Sequence, residues 1–172
     1  EIVRLLLEEG ADPQTGKISA VESALSGGHM DLANILVDEG APVTLMDASV
    51  LGRGETVRSL LESEEAGSSD AINTALWAAA ENGRTEVVGI LIEAGADVNY
   101  ERINKYDFDR SALRYAAAGG HLETVRLLLE EGASTGLDRA LVSAAASGHR
   151  EIVRLLIEKG ADPAWSIDGW IP

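Results

Sequence analysis

The 172-residue chain predicts an all-α solenoid of stacked antiparallel helix pairs, on two observations. The first is that residues 1–13, EIVRLLLEEGADP, match residues 151–163, EIVRLLIEKGADP, at eleven of thirteen positions. The second is that the same pattern recurs between them, as GGHMDLANILVDEGAPV (27–43), NGRTEVVGILIEAGADV (82–98), GGHLETVRLLLEEGAST (119–135) and SGHREIVRLLIEKGADP (147–163). Each copy has a Gly-His or Gly-Arg pair, an acid, an apolar run of helical period and a closing Gly-Ala. Self-similarity of this kind marks a stacked repeat architecture.

Each unit reads as two short helices. The first is small and Ala-rich, SAVESALS (19–26), TALWAAAE (74–81), SALRYAAA (111–118) and RALVSAAA (139–146), so that neighbours can approach closely. The second carries the bulk of the apolar side chains, such as Val125, Leu127, Leu128 and Leu129. Gly28, Gly83, Gly120 and Gly148 mark the turn between helices, and Gly40, Gly95, Gly132 and Gly160 fall where a left-handed cap ends the second helix. Ordering ~33 residues costs roughly 1–2 kcal/mol of backbone entropy each, which the few side chains one pair can bury do not offset. A pair must therefore stack on others.

At this point the sequence resembles the ankyrin repeat. From the residue at that family's threonine position to the glycine after the second helix, the intervals are 19–40, 74–95, 111–132 and 139–160, the same length in all four. A fifth unit, VTLMDASVLGRGETVRSLLES from residue 43, fits this frame with Glu64 in place of the glycine. The family's T-P-L-H tetrapeptide is degenerate: it reads Ser19-Ala20-Val21-Glu22, Thr74-Ala75-Leu76-Trp77, Ser111-Ala112-Leu113-Arg114 and Arg139-Ala140-Leu141-Val142. Since the resemblance implies that the threonine and histidine stiffen each repeat, their replacement predicts looser repeats, with Trp77 packing between units. The expected organisation is one ankyrin-repeat domain, 1–172, with a partial repeat 1–16, repeats at about 17–41, 42–66, 70–99, 107–135 and 138–163, and a partial repeat 164–172. The ends read as the second helix of one repeat and the start of another, as in a window of a longer array. Connectors are uneven: 40–43 leaves almost no finger, whereas 95–111 predicts an enlarged one.

Composition narrows the chemistry. With no cysteine, disulfides, thiolate zinc sites and cysteine nucleophiles are excluded. Fourteen basic against 29 acidic residues give a net charge of -15, which repels a phosphate backbone, so nucleic acid is not expected as a partner. No apolar run of about 18 residues or signal-peptide layout occurs, which predicts an intracellular, cytoplasmic protein without membrane insertion. His29, His121 and His149 all follow an inter-helix glycine and are assigned to the helix turn instead of to a metal. Neither a G-x-S-x-G elbow nor a phosphate loop is present, LGRGET (51–56) lacking the Walker spacing and lysine. No catalytic residues, metal, cofactor or small-molecule substrate are therefore expected. Arg58, Arg126 and Arg154, with Arg4, recur on the second helices among acids and predict i to i+4 pairs such as Arg4–Glu8 and Arg126–Glu130. The run ESEEAGSSD (62–70) predicts a hydrated connector.

The informative stretch is NYERINKYDFDRS, 99–111, which holds three of the seven aromatic residues, Tyr100, Tyr106 and Phe108. Aromatics with arginine on an exposed loop have the composition of an interface hot spot, while the same rings could instead form the finger's own small core. The resemblance implies partner binding through finger tips and inner helices. Tyr100, Arg102, Tyr106, Phe108 and Arg110, with Glu81 and Asn82 beside them, are the expected contacts for a protein with a basic or neutral, apolar surface. The expected function is a non-catalytic scaffold, the alternative being a regulatory or targeting segment of a larger enzyme, channel or effector. LIEAGADVN (91–99) also resembles the ankyrin pattern modified by an asparaginyl hydroxylase, with Asn99 as target.

Overall fold

A computed structural model describes residues 19–63, 67–104 and 107–165, with backbone only for 102–104 and 107–109. Its ten helices form five pairs: α1 (Ala20–Ser26) with α2 (Met30–Asp38), α3 (Leu45–Leu51) with α4 (Gly54–Glu62), α5 (Ser69–Glu81) with α6 (Thr85–Glu93), α7 (Ala112–Gly119) with α8 (Leu122–Glu130), and α9 (Leu137–Ala146) with α10 (Arg150–Glu158). From the second pair onward, first helices pack on first helices and second helices on second, so the chain is an all-α solenoid. The partial repeats expected at the two ends fall almost wholly outside the described residues.

Helix starts follow the polar caps. Ser19, Ser68 and Ser111 accept from the backbone N–H three residues on, and Thr44 with Asp47 closes a capping box. The third pair departs from the predicted frame. Its cap is Ser68, so Thr74 lies inside a 13-residue α5, with its hydroxyl donating to the carbonyls of Asp70 and Ala71. Ser69 and Asp70, read from sequence as connector, are therefore helical.

Small first helices let the core run continuously from Leu45 to Ala161 through Val57, Leu76, Val88, Leu91, Leu113, Leu128 and Leu156. The first pair packs in a second cluster, Val21, Ala24, Ala33, Leu36 and Ala41 with Leu51 of α3, and Val43 packs against both clusters. Arg53 adds a polar link between the first two pairs, with Nε and Nη2 donating to Asn34 Oδ1 at 3.0 and 2.8 Å and Nη1 lying 2.8 Å from Asp38.

The residue behind the inter-helix glycine fastens each later pair to its predecessor. Arg84 Nε donates to Val50 O at 2.9 Å, and His121 Nε2 and His149 Nε2 lie 2.9 and 3.1 Å from the carbonyls of Glu81 and Ala118. A carbonyl only accepts, so both rings carry the proton on Nε2. Each acceptor sits two residues ahead of the preceding pair's turn glycine, at 52, 83 and 120. Those glycines leave room for the incoming side chain: a Cβ at Gly83 or Gly120 would lie 2.5 Å from the ring of His121 or His149.

The outer face shows one correction. Arg126 faces Glu123 at 3.9 Å, instead of the predicted Glu130. An arginine placed N-terminal to a glutamate at i+4 is the weaker orientation in the helix field. Arg58 reaches across to Glu93 of the next pair at 3.8 Å. All four groups are about half or more exposed, so these pairs contribute little.

Candidate protein interface

The long finger contains the only strands among the described residues. Strand β1 (Arg102–Asn104) pairs antiparallel with β2 (Asp107–Arg110), Arg102 opposite Arg110 and Asn104 opposite Asp107, with a one-residue slip between the two pairings. Such a slip is a bulge, which adds local twist. Ile103 and Phe108, each between polar residues, are the alternation that sequence reading passed over.

Below the hairpin, residues 97–100 are held from two sides. On their own repeat, Trp77 is 6% exposed and stacks on Tyr100 with centroids 5.1 Å apart. Its Nε1–H donates to Tyr100 O at 3.2 Å, the Tyr100 hydroxyl bonds Asp70 Oδ1, and the Asp97 N–H donates to Asn73 Oδ1 at 2.8 Å. An aromatic pair of this kind contributes about 0.5–1.5 kcal/mol beyond its buried area. Toward the next repeat, Asn99 Nδ2 donates to Gly132 O at 3.0 Å. Its Oδ1 accepts from Ser134 N, Thr135 N and Thr135 Oγ1 at 2.9, 3.0 and 2.9 Å. The finger thus rises from a seat built on two repeats, and its return strand leads into Ser111, the buried cap of α7.

The expected contact residues divide accordingly. Tyr100 turns into the seat and serves as the finger's own core. The Arg102 and Phe108 backbones lie in the strands, Arg110 is exposed at the end of β2, and Tyr106 lies outside the described residues. Glu81 and Asn82 do not sit beside the finger. Asp70, which meets Tyr100, is eleven residues from Glu81 on α5, about 16 Å along the axis at 1.5 Å per residue. At that far end the Glu81 carbonyl accepts from His121, and Asn82 Nδ2 donates to Ala78 O at 2.8 Å. An asparaginyl hydroxylase, the modification expected of Asn99, would meet an amide already held by three residues of the next pair. Sequence reading missed Asp70, Asn73, Ser134 and Thr135 as parts of one structure. Among the described residues no three His, Asp or Glu side chains gather as a metal site, and no helix is long and apolar enough to cross a membrane.

A stack of helix pairs with glycine turns and projecting fingers defines a helical-repeat protein. The family profile described as ankyrin repeats (3 copies) matches residues 101–164, and that described as ankyrin repeat matches 72–102. The chain belongs to the ankyrin repeat family, whose repeats are protein–protein interaction modules and are generally non-catalytic. It is also 30% identical over 112 residues to an ankyrin repeat and KH domain-containing protein of Caenorhabditis briggsae. That match covers 59% of this chain and 4% of the relative.

Proposed function

We propose that the chain is a non-catalytic scaffold that binds another protein through the enlarged finger, with Arg102, Tyr106, Phe108 and Arg110 as its contacts. The observation that carries this reading is the seat at residues 97–100. The base of the finger is tied to both flanking repeats, and a contact surface carried on a fixed seat loses less entropy on binding. Tyr100 contributes by holding the finger. The net charge of -15 favours a partner with a basic surface, or a neutral one that buries the rings.

With a partner recovered by affinity capture at low and high salt, Tyr106→Ala is expected to weaken binding by roughly 30-fold, equivalent to about 2 kcal/mol, while the melting temperature is unchanged. Equal affinity for the variant would reject the finger as the contact surface. A second reading, that these repeats target or regulate a larger protein, is favoured by the 4% share of the relative that the match spans. The finger would then dock that protein's target.

A further inference from the structure

We infer that Asn82–Gly83, at the turn between α5 and α6, is a covalent modification site gated by the next repeat: it is closed while His121 is seated and converts to aspartate or isoaspartate when His121 lets go. The Gly83 main-chain nitrogen gives up its proton and attacks Asn82 Cγ, the side-chain nitrogen leaves as ammonia, and a cyclic succinimide forms. Water then opens the ring at either carbonyl, giving aspartate or, with the main chain rerouted through Cγ, isoaspartate. Water is the only co-reactant, and nothing is oxidised or reduced. Asn82 is the only asparagine of the chain followed by glycine, which has no side chain to hinder the attacking nitrogen.

Three features of the folded turn hold the reaction off. Asn82 has φ -97 and ψ 7, and a ψ near zero turns the Gly83 nitrogen toward Asn82's own nitrogen and away from Cγ. The Gly83 N–H is engaged, donating to Ala80 O at 3.2 Å. The Asn82 side chain is engaged too, its Nδ2 donating to Ala78 O at 2.8 Å. All three belong to the last turn of α5, and helix ends fray unless they are held. This one is held from the fourth pair. His121 Nε2 donates to Glu81 O at 2.9 Å, and the ring lies so close to Gly83 that a Cβ there would be 2.5 Å from Nδ1. The coupling also runs the other way. Isoaspartate adds a methylene to the main chain at residue 82, which shifts Gly83 out from under His121. The two pairs this would part are those that seat the finger through Asn99.

The test incubates the full chain in neutral buffer, folded and in urea, and follows the peptide that holds residues 82 and 83 by mass spectrometry, with isoaspartyl methyltransferase to detect the isomer. The folded chain is expected to react at least about tenfold more slowly than the denatured one, since reaction waits on local opening. His121→Ala should speed the folded chain about fivefold or more, the effect of losing one net hydrogen bond. His121→Phe, which keeps a ring over Gly83 without the donor, is a second variant with the same direction. His121→Arg should restore the slow rate, because Arg84 makes the corresponding bond to Val50 O one pair earlier. His149→Ala, which removes the next staple along, should leave the rate unchanged. Equal rates in folded and denatured chain would refute the closed site, and no product in urea would refute the site itself. An unchanged rate in both His121 variants, or an equal gain in His149→Ala, would refute the gate.

Discussion

Trp77→Ala is expected to lower stability by about 3–5 kcal/mol, the range for deleting a large buried aromatic side chain. At roughly 2–4 °C per kcal/mol for a chain of this size, the melting temperature should fall by roughly 6–20 °C. Three losses combine here. The ring is 6% exposed within the continuous core, it stacks on Tyr100, and its N–H satisfies the Tyr100 carbonyl. Because α5 stands in the middle of the stack, the substitution should also weaken coupling between the pairs on either side, broadening the urea transition or dividing it in two. Trp77→Phe keeps a ring against Tyr100 and loses the donor, so it should cost distinctly less. Urea and thermal denaturation followed by far-UV circular dichroism measure these changes, and a loss below about 1 kcal/mol for Trp77→Ala would contradict the seat.

Gly120→Ala is expected to cost about 2–3 kcal/mol in the same measurement. The backbone there has φ +77, where a side chain costs about 1–2 kcal/mol. In addition, the new Cβ would lie 2.5 Å from His149 Cε1, so the ring must leave and its bond to Ala118 O, about 1 kcal/mol net, is lost. Gly148→Ala supplies the control. It has the same left-handed backbone, φ +81, with no neighbour over it, and should show the strain alone. The difference between the two variants, about 1 kcal/mol, is the contribution of one histidine staple. Equal losses would mean that His149 does not fasten its repeat.

The repeat frame was legible because it is written in local terms: glycine at a fixed interval, alanine on the first helix and a 3.6-residue apolar period on the second. Five helix pairs follow from that without any long-range information. The length of α5 was not legible, since Ser68 and Thr74 both offer an N-cap and only packing chooses between them. The seat was hidden for a different reason. Trp77 meets Tyr100 twenty-three residues away, Asn73 meets Asp97 across twenty-four, and Asn99 reaches Thr135 across thirty-six. None of those spacings belongs to a helix or a strand. Tyr100 shows what composition leaves open: an aromatic in a charged loop reads equally as a contact or as the finger's own core, and only the fold shows its ring stacked on Trp77. Glu81 and Asn82 were expected beside the finger because the resemblance implies contacts on the inner helix just ahead of the inter-helix glycine, yet the finger docks at the opposite end of α5.

Presentation of the finger by two repeats at once is tested most directly by native-state amide exchange in Asn99→Ala. The Ser134 and Thr135 N–H groups both donate to Asn99 Oδ1, so in the unsubstituted chain they should exchange slowly, in step with their repeat. Removing that acceptor should speed exchange at both by about tenfold, the equivalent of roughly 1.4 kcal/mol of local protection, and leave the amides of α8 and α10 unaffected. Exchange at Ser134 and Thr135 that is fast before the substitution, or unchanged after it, would show that the finger is not clamped to the following repeat.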